Sequence, residues 1–118
     1  MSLTTGFARE KQARAYLVSQ GLQWIESNYR CRFGEIDLIM RDKNYLVFVE
    51  VRARVSSSYG GALASVTYFK QRKLIKTATS YLLSKNLHDK QLTRFDVLGF
   101  EGPKADLSWI KNAFGLDF

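Results

Sequence analysis

Glu10, Asp37, Glu50, Arg52 and Lys70 have the types and spacing to do chemistry together. Asp37 and Glu50 each interrupt an apolar run, in "GEIDLIM" and "VFVEV". A dry strand does not carry a carboxylate unless something offsets its desolvation. A divalent cation would do so, because Mg²⁺ is held by one or two carboxylates together with waters and phosphate oxygens. Such an ion can orient or activate a water and stabilise charge on a phosphodiester under attack. Arg52 and Lys70 could then hold an anionic substrate. The competing arrangement is structural, with Asp37 and Glu50 salt-bridged to Arg52, Arg94 or Lys70 and no ligand.

These residues come from separate elements, which the pattern of the chain locates. Residues 5–20 read as a helix, with Thr4 or Thr5 to cap it and Gly21 just past its end. Gly6, Glu10, Ala13 and Leu17 fall on one stripe of that helix, so Glu10 shares the inward face, while Arg9, Lys11 and Arg14 lie elsewhere. Residues 22–30 and 33–41 read as strands, residues 41–44 ("RDKN") as a turn, and residues 45–53 as a third strand. Val47, Val49 and Val51 point to one side of the third strand, and Phe48, Glu50 and Arg52 to the other. Apolar residues on both faces predict a central strand covered on two sides.

A second helix opens at Ser65 or Thr67 and ends near Leu83, with Leu74, Ala78, Tyr81 and Leu82 as its apolar stripe and Lys70 one turn before Leu74. Residues 93–100 form a fourth strand weakened by Gly99, "EGPKAD" turns the chain, and "LSWIKNAF" adds a short last strand. The order α-β-β-β-α-β, with that extra strand, predicts an α/β fold with a mixed central sheet flanked by helices.

A hairpin around Lys43-Asn44 pairs Asp42 with Tyr45. Counting outward brings Leu38 opposite Val49, Asp37 opposite Glu50 and Glu35 opposite Arg52. Ile36, Leu38 and Met40 would then meet Val51, Val49 and Val47 on one face, and a slip of one residue would destroy that match. In this register Asp37 and Glu50 are cross-strand neighbours whose charges repel, which calls for a compensating cation.

The chain has 118 residues, 46% apolar and 25% charged, which suggests one domain of ordinary globular composition. No apolar run is long enough to cross a bilayer, and "MSLTTGFAREKQ" has no apolar signal core, so a cytoplasmic protein is expected. Cys31 is the only cysteine, which rules out an internal disulfide. Eighteen Lys and Arg against eleven Asp and Glu give a net charge of +7, which favours polyanions. Lys70, Arg72, Lys73 and Lys76 on the second helix could meet a phosphate backbone or form a solvated face.

His88 is the only histidine, which excludes a multi-histidine metal site, and it reads as a solvated loop residue. Cys31 reads as a plain strand residue, Arg94 and Asp96 as a mutual pair, Trp24 and Trp109 as packing residues, and "SSSYGG" (56–61) as a mobile loop. No Walker-type glycine loop and no Cys-x-x-Cys pair is present.

"GFAREKQARAYLVSQG", "NYRCRFGEIDLIMRD", "VFVEVRAR", Lys70 and "RFDVLGF" follow one another in order, down to "NAF" at 112–114. Over almost its whole length the chain resembles the YraN family of bacterial proteins, distant relatives of archaeal Holliday junction resolvases in the restriction-endonuclease-like superfamily. The resemblance implies a mixed sheet between helices, with a metal site on the second and third core strands. It implies Asp37 and Glu50 as metal-binding acids and Glu10 as the helix acid that completes the site for Mg²⁺ or Mn²⁺. Lys70 matches a basic residue near the site, and Glu35 belongs to the same signature without a defined role.

Arg52 stands where the superfamily usually has lysine. Arginine stays protonated, so it can clamp a phosphate but is a poor general base. The implied function is a metal-dependent endonuclease acting on branched or structured DNA, as a homodimer that presents two sites to two strands. A nucleic-acid-binding module with the nuclease fold and little or no catalysis is the alternative, and a scaffold whose acids serve as ion pairs is a third.

Overall fold

A computed structural model of the chain describes residues 3–55 and 61–115. Five strands form one mixed sheet in the order β1-β2-β3-β4-β5, namely β1 (Gln23–Cys31), β2 (Gly34–Asp42), β3 (Tyr45–Arg54), β4 (Leu92–Glu101) and β5 (Asp106–Phe114). All pairings are antiparallel except β3 with β4, which run parallel. That parallel pair needs a crossover. Two helices supply it, α2 (Gly61–Ser65) and α3 (Tyr68–Ser84). The first helix, α1 (Leu3–Ser19), covers the opposite face.

The α/β architecture and the mixed sheet flanked by helices follow the expectation, with three corrections. Helix α1 starts at Leu3, ahead of the expected caps Thr4 and Thr5. The five-residue helix α2 was not anticipated, because "GALAS" has no apolar stripe to mark it. The last strand spans nine residues and is not short, since β4 pairs antiparallel with it from Asp106 to Ile110 and, past a bulge, again at Phe114. The loop expected at 56–61 falls, apart from Gly61, outside the described residues.

Each face of the sheet builds its own core. On the α1 side, Ala13 and Leu17 pack on Leu38, Met40, Val47, Val49, Leu98 and Phe100. On the α3 side, Leu74, Ala78 and Tyr81 pack on Ile39, Phe48 and Val97. Phe48 is 2% exposed, stacks on Phe95 with centroids 5.5 Å apart and meets the edge of Tyr81 at 6.0 Å. Burying such a ring contributes about 2–3 kcal/mol. β3 is thus the doubly covered central strand that its residues predicted.

Local chemistry fixes the helix ends. The Leu22 N–H donates to the Leu17 carbonyl at 3.1 Å, which requires the left-handed backbone of Gly21 (φ 99°). Thr67, rather than Ser65, caps α3, its hydroxyl accepting the Lys70 N–H at 3.3 Å. Gly99 lies beneath α2, and a Cβ there would collide with the Ala62 side chain. No helix among the described residues is long and apolar enough to cross a membrane.

Candidate functional site

The hairpin of β2 and β3 keeps the expected register from Asp42–Tyr45 to Leu38–Val49 and then forks. Asp37 is not paired with Glu50, nor Glu35 with Arg52. The Asp37 carboxylate instead accepts the Val51 N–H at 2.8 Å, taking a donor that a continued ladder would have used. Ile36 accordingly packs with Ile39 on the α3 side, away from Leu38 and Met40, so the alternation of β2 breaks at Asp37.

The break extends to β1. Asn28 and Asp37 fall between the paired Ser27–Leu38 and Tyr29–Ile36. Asn28 has φ 55°, a left-handed conformation that asparagine tolerates better than most residues. Its amide donates to Glu10 at 2.9 Å and to Glu35 at 3.4 Å. Two acids from different elements are thereby tied to the same side chain.

Glu10 reaches this point from α1, on the stripe that buries Ala13 and Leu17. One carboxylate oxygen each from Glu10, Glu35 and Asp37 lies within 4.8 Å of the other two. Glu50 joins from β3, within hydrogen-bonding reach of Asp37. Desolvation pushes the Asp37 carboxyl well above the usual aspartate range, and the adjacent Glu50 charge pushes it further. Glu10 is raised chiefly by desolvation and by the Asp37 and Glu35 charges, while the Asn28 hydrogen bond works against the rise.

The cations stand around this cluster. Arg30 pairs with Glu35 from the exposed side. Arg52 sits 3.5 Å from Glu50 and donates its Nε–H to the Ser65 hydroxyl at 3.0 Å. The Lys70 ammonium lies 3.5 Å from the Ser65 carbonyl. Glu35, Glu50, Arg52, Lys70, Lys73 and Thr77 line a cleft of about 200 Å³ on the α3 side. A second cleft on the α1 side is lined by Glu10, Lys11, Arg14 and Asn28, among others. The acids therefore lie between two openings, one on each side of the fork.

The sequence-derived set Glu10, Asp37, Glu50, Arg52 and Lys70 converges here, and Lys73 joins it. Arg72 and Lys76 are exposed on α3 and do not line the cleft. The sequence reading passes over Asn28 and takes Ser65 only as a candidate helix cap, whereas its hydroxyl accepts from Arg52. The available signal for Asn28 is a poor strand former in mid-strand.

Arg94 and Asp96 pair with each other as expected, at 3.0 Å. Trp109 packs edge-on to Tyr16 and donates to Asp96 at 2.9 Å. Trp24 departs from its expected packing role. It is 47% exposed, and the Arg14 guanidinium lies 4.5 Å from its ring centroid, because β1 is an edge strand. His88 is exposed, and Cys31 ends β1 with its sulfur accepting the Phe33 N–H.

A model of the "Uncharacterised protein family UPF0102" matches residues 9–100. A UPF0102 protein of Legionella pneumophila (strain Philadelphia 1) is 46% identical over 114 residues, 97% of either chain. One from Psychromonas ingrahamii is 50% identical over 113 residues, covering 96% of this chain and 91% of its own. One from Alcanivorax borkumensis is 50% identical over 113 residues, covering 93% and 90%.

Proposed function

Because the chain belongs to the uncharacterised protein family UPF0102, we propose its function from the site itself, as a metal-dependent endonuclease that hydrolyses phosphodiesters in branched or structured DNA. The observation that carries this reading is the convergence of Glu10, Glu35 and Asp37, with Glu50 against Asp37, beside a cleft walled by Arg52, Lys70 and Lys73.

The donor set fits a hard divalent cation. Carboxylate oxygens are what Mg²⁺ and Mn²⁺ prefer, and mutually repelling acids at a desolvated point gain most from one. Glu10, Glu35 and Asp37 present oxygens close enough together to hold the ion, and Glu50 would join them from beside Asp37. When bound, it supplies Lewis-acid stabilisation of charge at the scissile phosphate and lowers the pKa of a coordinated water.

The chain's own residues do the rest. Lys70 and Lys73 draw a phosphate into the cleft, and Arg52, anchored by Ser65, neutralises it from a fixed direction. Arg52 cannot accept a proton, so the acceptor that the chain can offer is a carboxylate of the cluster.

Purified protein is expected to cut a panel of junction, flap and linear DNAs only with Mg²⁺ or Mn²⁺. Glu50→Ala should lower the rate by about a hundredfold or more at unchanged circular dichroism. If wild type cuts none of the panel with either metal, catalysis is ruled out. A second reading then takes its place, a nucleic-acid-binding module that has kept the nuclease architecture. Arg52, in the position where a proton-transferring lysine would be useful, is the observation that favours it.

A further inference from the structure

The outer surface of α3 is not explained by packing. Its buried stripe runs through Leu74, Ala78 and Tyr81. Tyr68 and Phe69, in its first turn, lie off that stripe and are 72% and 71% exposed. Two adjacent exposed rings make a contiguous apolar patch, which marks a contact surface where a lone ring would not. Phe69 sits one turn before Lys73, whose ammonium lies 5.8 Å from the ring centroid. Lys73 in turn lines the cleft that holds Glu35 and Glu50. Helical geometry sets Phe69, Lys73 and Lys70 in sequence from the outer surface toward the cleft, with Arg72 and Lys76 exposed on the same helix. The helix carries no acidic residue.

We propose that this face of α3 binds an unpaired stretch of DNA, stacking a base on Phe69 while Lys73 and Lys70 carry the adjoining phosphates toward the acids. The inference rests on the nuclease reading of that cleft and narrows its substrate to DNA with a single-stranded segment beside the cut. Charge selects the occupant, since an outward face of four cations and no acid suits a polyanion. The exposed rings add what duplex DNA cannot use, because paired bases offer no free π-face, whereas base–aromatic stacking is the common means of holding single strands.

The test measures binding without catalysis, by fluorescence anisotropy in EDTA with labelled oligothymidylate and a blunt duplex. Phe69→Ala should weaken oligothymidylate binding about tenfold, with little change for the duplex. Phe69→Leu should behave like alanine, and Phe69→Trp should retain or improve affinity, because only a ring can stack. Equal oligothymidylate affinity for wild type and Phe69→Ala overturns the inference, as does an equal loss on both probes. If Phe69→Ala instead abolishes self-association in sedimentation and leaves binding intact, the face is an interface between copies and the inference fails. Loss of binding in Phe69→Ala from a protein that cleaves nothing would sink the nuclease reading alone. Cleavage with unaltered binding would sink the stacking alone.

Discussion

Asp96 on β4 and Asp37 on β2 flank the same central strand, yet their carboxylates meet opposite company. Asp96 is fully buried and accepts from Arg94 (3.0 Å), the Trp109 indole (2.9 Å) and the Asn112 N–H (3.0 Å). Arg94 is shared with Asp42 at 2.8 Å. Asp37 accepts one backbone N–H, from Val51, and otherwise faces Glu10, Glu35 and Glu50. The first aspartate is neutralised from within the chain. The second is desolvated among like charges and forms no ion pair of its own among the described residues. A buried acid is therefore informative through its neighbours rather than through its burial.

One substitution applied at both places should have opposite effects. Asp96→Asn removes one of the two charges that Arg94 is built against, with Asp42 remaining as the other, and weakening these charge-assisted hydrogen bonds should cost about 2 kcal/mol in urea denaturation. A loss under about 1 kcal/mol would erase the contrast.

Asp37→Asn should go the other way in metal-free protein. The Asp37 pKa is raised in the folded state, so the folded chain holds a proton that the unfolded chain has released. That stability is fully present below the ordinary value of 3.8 and drains as pH rises through the raised value. The amide escapes this loss and can still accept from Val51. In EDTA at neutral pH, Asp37→Asn is expected to melt above wild type, and the gap should close on acidification. Mg²⁺ should raise the wild-type Tm and leave the variant unmoved. A variant that melts lower in EDTA would place Asp37 with Asp96 as an internally satisfied acid.

The smallest effect belongs to the rim. Arg30 pairs with Glu35 but its side chain is 72% exposed, so Arg30→Ala should change stability by no more than about 1 kcal/mol and be sensitive to salt. A larger loss would mean that the acid cluster leans on a cation of its own after all.

The alternating residues of β2 and β3 made the hairpin legible as far as Leu38–Val49, because an apolar face tolerates no slip. Beyond it the pattern misleads. Extending the register to Asp37–Glu50 named residues that do meet, but for the wrong reason. They come together where the strands part, with a side chain taking the place of the ladder at Val51. Hydrophobic periodicity describes paired backbone and says nothing about where a polar side chain replaces a carbonyl. The stripe on α1 placed Glu10 correctly because Ala13 and Leu17 leave its face little choice. Asn28 escaped notice because its contribution is a backbone dihedral, which the sequence records only as an unusual residue in a strand.

Arg52 is steadied by the hydroxyl of Ser65, which also donates to the Ala62 carbonyl at 2.6 Å. Ala62, in turn, rests on bare backbone at position 99. A methyl group there would lift the short helix off β4, and the arginine tethered to it would drift from the acids. The reach of a cationic arm is thus gauged by a spacer one hydrogen atom wide, on the neighbouring strand, at the residue that lies opposite Arg52 in the ladder.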